Sequence, residues 1–179
     1  MNSGLPDLFA LVQSTFRRNG WDYEAVPGLT VVETGFEAHH GRIPLHVQAF
    51  PEIRAISVVA NLPLEAADPD RRARMAELLM RANGELTLGA FELRWDEGQP
   101  LFRISHFLPR ETPTQALQPL LTALVEIAIM ESDRLMPLLQ CILESPLAEL
   151  PGLDLQQMVN AAGPPGIPTP DCPGQPAQS

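Results

Sequence analysis

The chain has 179 residues, 45% of them hydrophobic, which is enough to build one domain with a real core and no disulfide staple. All 12 basic residues are arginine, and against 22 acidic residues they leave a formal net charge of -10. Such a surface repels phosphate backbones and anionic lipid, so neither nucleic acid nor membrane is the expected partner.

The first predicted helix runs from about Leu5 to Arg18, with Leu5, Leu8, Phe9, Val12 and Phe16 on one stripe. Pro6 suits its first position and Asn19-Gly20 its end. Three strands follow as an antiparallel meander. Leu29 to Ala38 and Ile43 to Phe50 flank a tight turn at His40-Gly41, and Pro51-Glu52 turns the chain again. Registers that bring the apolar sides together set Val32 opposite Ala49, Ala38 opposite Ile43 and Val47 opposite Ile56, with His46 opposite Ser57 on the second face.

Asp68-Pro69 opens the second helix and Asn83-Gly84 is predicted to stop it. Met75, Leu78, Leu79 and Ala82 form its buried face, and Arg71, Arg72, Arg74 and Arg81 read as its solvated side. A β-hairpin follows. Phe91, Leu93 and Trp95 alternate with Ala90, Glu92 and Arg94, and the return strand spans Leu101 to Phe107. A four-residue turn sets Leu93 opposite Phe102 and Glu92 opposite Arg103. Gly89 permits close packing at the strand entrance.

The third helix begins near Thr112-Pro113 and reaches about Leu143, with Pro137 expected to kink or divide it. Between Leu120 and Met130 it is apolar almost all round, so it is buried on more than one side, against sheet, tail or another subunit. Residues 1–143 thus read as a single α+β domain. Residues 144–179 form a Pro-rich C-terminal tail in which Leu153 to Ala161 could make a short helix.

No apolar run reaches a membrane span, and the N-terminus lacks the pattern of a secretory signal, so the expected compartment is the cytoplasm. Cys141 and Cys172 make neither a disulfide framework nor a metal spacing and read as thiols of that reducing compartment. His39, His40 and His46 do not converge. Glu33 and Glu37 could approach His46, but without the ligand spacing that metal sites use. Gly84 to Gly89 lacks the lysine and the following helix of a phosphate loop. Accordingly no catalytic, cofactor-binding or metal-binding residue is assigned.

The second sheet face is predicted to be polar at its centre, with Glu33, Gln48, Ser57, Glu92 and Arg103. At one end it turns apolar, where Val31, Phe50, Ile53 and Ala55 gather around the Pro51-Glu52 turn. An apolar patch with a polar rim is what a protein contact uses, so these four residues are the candidate partner surface. The competing expectation is that the third helix or the segment from Leu147 to Val159 covers them.

The order helix, three-strand meander, helix, β-hairpin, long C-terminal helix resembles the YbjN family of bacterial domains. The local match is Leu88-Gly89-Ala90-Phe91-Glu92-Leu93, then Arg103-Ile104-Ser105, then Asp133-Arg134-Leu135-Met136-Pro137. It covers roughly Leu8 to Leu143. Members have been described as sensory transduction regulators with a fold like that of type III secretion chaperones. The resemblance implies a non-catalytic, often homodimeric module that binds or regulates a protein partner, and it carries over no catalytic residue. The alternative is a small-molecule or metal-dependent enzyme using the open sheet face around His46.

Overall fold

The computed structural model describes residues 7–109 and 111–163. Helix α1 spans Leu8–Asn19 and is capped by Asp7, whose side chain accepts the amide of Phe9 at 2.9 Å. It ends on Gly20 in the left-handed conformation, as its Asn-Gly sequence predicts. The expected roles of Leu5 and Pro6 lie outside the described residues. Phe16, fully buried on this helix, meets Trp21 and Tyr23 edge-on at 5.3 and 5.5 Å.

Among the described residues the sheet has six strands, one more than expected. The additional strand is the two-residue β1, Glu24–Ala25. Next come β2 (Val31–Glu37), β3 (Arg42–Phe50), β4 (Ala55–Asn61), β5 (Ala90–Arg94) and β6 (Gln99–Phe107). Their spatial order is β1-β2-β3-β4-β6-β5, and every pairing is antiparallel. Helix α2 (Pro69–Glu85) connects the meander to the hairpin, and α3 (Thr114–Glu144) follows it.

Side chains of one sheet face form the core: Val32, Ile43, Leu45, Val47, Ile56, Val58, Phe102 and Ile104 are buried there against the helices. Met75, Leu78, Leu79 and Ala82 of α2 join them, the same four residues that the sequence period selects. Among the described residues no helix packs on the other face.

All three tight registers differ from expectation by two residues. Val32 pairs with Val47, Val47 with Val58, and Phe91 with Phe102. A shift of two leaves each side chain on its expected face, because the strand period is also two. The cause is where the turns sit: they occupy residues 38–41, 51–54 and 95–98 instead of 40–41, 51–52 and 96–99. The first spans 38–41 and is closed by the amide of Ala38 on the carbonyl of Gly41 at 3.0 Å. The second spans 51–54 and places Arg54 at φ 51°, a left-handed conformation unusual for arginine. Arg54 is held there by its chain exchange with Leu108: the Leu108 amide donates to the Arg54 carbonyl at 2.7 Å and Arg54 Nε to the Leu108 carbonyl at 3.1 Å.

Helix α3 is one uninterrupted helix despite Pro119 and Pro137. Pro137 has no N–H for the carbonyl of Asp133, four residues before it. The ring of His40, at the first turn, takes that carbonyl at 3.0 Å, and the His40 amide donates to Asp133 Oδ1 at 2.7 Å. The proline that was expected to divide the helix instead frees a group that anchors a hairpin. The apolar circumference of α3 is absorbed inside the chain: Leu121, Leu124, Val125 and Ala128 are buried in the core shared with α1, α2 and the sheet.

Beyond residue 144 a 3-10 turn (Leu150–Gly152) and helix α4 (Leu155–Ala162) pack through Leu150, Leu155, Met158 and Val159 onto α2 and α3. The α2 arginines are not merely a solvated side. Arg71 donates to the carbonyl of Ser145 at 2.8 Å, Arg74 to that of Leu153 at 2.6 Å, and Arg81 to the side chain of Gln156 at 3.2 Å. Nor does α2 stop at Asn83-Gly84. It continues to Glu85, and the Asn83 side chain reaches β5 instead: Asn83 Oδ1 accepts the Phe91 amide at 2.7 Å and Nδ2 donates to the Phe91 carbonyl at 3.0 Å. Cys141 is buried and disulfide-bonded, which corrects the free-thiol reading for that residue. Cys172 lies outside the described residues.

Candidate partner surface

The second sheet face is laid out in rows that cross β2, β3, β4 and β6. Val31, Gln48, Ser57 and Ser105 form one row, joined by the hydroxyl of Ser105 donating to that of Ser57 at 2.9 Å. The next row is Glu33, His46, Val59 and Arg103. Its middle is an apolar floor under a polar canopy: Val59 is fully buried on this open side, flanked by His46 and Arg103.

Glu92 and Arg103 share this face and are joined at 2.8 and 3.1 Å. They meet diagonally, since Arg103 pairs with Ala90 and Glu92 with Leu101. Arg94 bridges Gln99 at 2.6 Å and Asn61 at 3.1 Å.

His46, the residue that the enzymatic alternative needs, is half-buried with its Nδ1 3.3 Å from Asn61 Nδ2. Burial holds its pKa below the usual histidine value, and the positive charges of Arg103 and Arg94 lower it further, against a smaller opposing pull from Glu33. The ring is therefore a neutral acceptor for Asn61 near pH 7. Among the described residues no group of three His, Cys, Asp or Glu side chains could hold a metal ion. His40 is committed to Asp133 and stands apart from His46.

The apolar end is where the four candidate residues gather. Phe50 pairs with Ala55, and both are partly exposed. Ile53, in the turn between them, is 61% exposed. Val31 is buried at 8% and supports the patch from below. No described helix lies over these residues: α3 and α4 pack on the opposite side, which corrects the covered-patch expectation.

Two members escaped the sequence reading. Phe107 pairs with Ala55 and is 62% exposed, and Leu29, just before β2, is 58% exposed. The alternation Arg103, Ser105, Phe107 places Phe107 on the polar face, but its position beside Ala55 depends on β6 lying next to β4, which no sequence period reveals. Trp95 is also exposed, with the Arg72 guanidinium 6.0 Å from its ring centre, so it is neither core nor free to stack from that side.

A cavity of about 510 Å³ opens between the connection after α2, α3 and α4. Its wall holds the buried pair Glu131–Arg134, joined at 2.6 Å.

The family model described as "Putative bacterial sensory transduction regulator", YbjN, matches residues 9–140. The chain belongs to the YbjN family. Among solved structures, YbjN from E. coli shares the fold with a TM-score of 0.53 at 10% identity, covering 74% of this chain and 92% of that one. Two further structures are similar at lower scores. The HopA1-SchA chaperone-effector complex has a TM-score of 0.42 at 14% identity, covering 68% and 91%. The ExsC-ExsE complex has 0.44 at 11%, covering 74% and 92%. No curated protein matches the chain. The YbjN match ends before α4, so the arginine-held segment after residue 144 is built outside the family's matched region.

Proposed function

We propose that this YbjN-family chain is a non-enzymatic protein-binding or regulatory module of the bacterial cytoplasm, acting as a homodimer. The observation that carries the reading is the row of exposed apolar side chains, Leu29, Ile53 and Phe107, with the partly exposed Phe50, at one end of a sheet face over which no described helix lies. Exposed apolar clusters with polar rims serve contacts, and aromatic side chains dominate their energy. The rim is the line of Glu33, Gln48, Glu92 and Arg103, and Ala55 and Val31 complete the floor. The net charge of -10 supports a protein partner over a nucleic acid. No described helix is long and apolar enough to cross a membrane.

The test is site-specific photocrosslinking in native cells. A benzoylphenylalanine at position 107 is expected to capture protein, and the capture is expected to disappear when Phe50→Ala is added. The same probe at the exposed Met80 of α2 serves as the control. Capture at position 80 with none at 107 overturns this surface.

A further inference from the structure

We infer that the cavity between the connection after α2, α3 and α4 is a binding site for an organic cation, an ammonium group carried on an apolar body. The site stands apart from the protein-binding reading, since none of its lining residues belongs to a strand of the sheet. One of its walls, α4, also lies beyond the residues that match the family. The volume of about 510 Å³ falls within the range of small-molecule pockets, roughly 300–1,000 Å³.

The deciding group is Glu131. Its side chain is only 9% exposed, and it lines the cavity. Arg134 donates to it from Nε at 2.8 Å and from Nη2 at 2.6 Å, and both bonds land on the same oxygen, Oε2. Among the described residues no hydrogen bond reaches Oε1. A carboxylate oxygen so nearly buried is costly to leave without a donor, and a charged donor satisfies it best.

The balance of charge fixes the sign of the ligand. The charged groups on the lining are Glu85, Glu131 and Arg134. Arg134 is paired with Glu131, so the exposed Glu85 leaves the lining one negative charge in excess. An anion would meet two carboxylates and a guanidinium that is already engaged. An ammonium brings three N–H donors. One suits Glu131 Oε1, and another suits the carbonyl of Gly163, to which Arg134 Nη1 makes only a long bond of 3.4 Å. Leu86, Leu88, Ile127 and Val159 supply apolar walls. Leu88 is 56% exposed, and an apolar body seated against it would take that surface out of water.

The test is a titration of the full chain with phenethylammonium at neutral pH, read by amide NMR. Saturable shifts are expected at Leu88, Ile127 and Asn160. Hydrocinnamate, similar in shape and opposite in charge, is expected to give none. Glu131→Gln keeps an oxygen for Arg134, removes the negative charge and is expected to weaken binding at least tenfold. Asn160→Trp, at an exposed lining position, puts an indole across the cavity without altering the core. It is expected to abolish binding and leave circular dichroism unchanged, and it decides the matter alone if Glu131→Gln does not fold. The inference is overturned by an absence of saturable binding or by equal binding of hydrocinnamate. Binding that is indifferent to Asn160→Trp, or to a folded Glu131→Gln, overturns it equally.

Discussion

Arg103 illustrates how much one side chain settles on the open face. It pairs with Glu92, shelters Val59 and adds to the burial that depresses the His46 pKa. Arg103→Gln is therefore expected to raise the His46 pKa part of the way back toward 6.5, since burial, the larger cause, is left in place. An NMR titration of the ring reads the shift, and no upward movement would refute the assignment. The same depression fixes a sign for stability. Between the unfolded value near 6.5 and the lower folded value, the unfolded chain binds the proton first. The His46 contribution is thus complete above pH 6.5 and is lost as pH falls through the folded pKa. His46→Gln should flatten that part of a plot of stability against pH. Gly89 was legible in the sequence as a point of close approach, and it is one: its φ is 75°, and an added Cβ would overlap the Phe102 ring. The left-handed backbone costs alanine about 1–2 kcal/mol and the overlap about 1–3 more, so Gly89→Ala is expected to lower unfolding free energy in urea by about 2–5 kcal/mol.

At the level of elements, existence and face were readable for all but the two-residue β1, while register and termini were not. Hydrophobic period marks which side of β3 is core, whatever its partner, so Ile43, Leu45 and Val47 were identifiable from sequence. Where a turn sits depends on contacts far along the chain. The 38–41 turn is held by Asp133, and the 51–54 turn by the Arg54 exchange with Leu108, and neither partner is near in sequence. Asp133→Ala removes the acceptor of the part-buried His40 amide and should cost about 1–3 kcal/mol by thermal melting. A negligible change would show that the turn is set by its own residues. The helix after residue 144 was legible as a possibility, but its docking was not, because it depends on guanidinium groups of α2 reaching the carbonyls of Ser145 and Leu153. Leu155→Ala, on the buried side of α4, is expected to cost about 2–5 kcal/mol.

For the molecule as a whole, the partner surface was half visible. Phe50, Ile53 and Ala55 were found by local alternation, whereas Phe107 and Leu29 joined them only through strand order. The sheet has edges as well as faces, and the Asn83 contact bears on one of them. Strand β5 is an outer strand, so the groups of Phe91 that point away from β6 would ordinarily offer a template for another chain. The Asn83 carboxamide occupies both, one oxygen on the N–H and one nitrogen on the carbonyl, in the way a neighbouring peptide group would. A side chain thus stands in for a seventh strand. At that position the border of the sheet is closed to the pairing of a further strand.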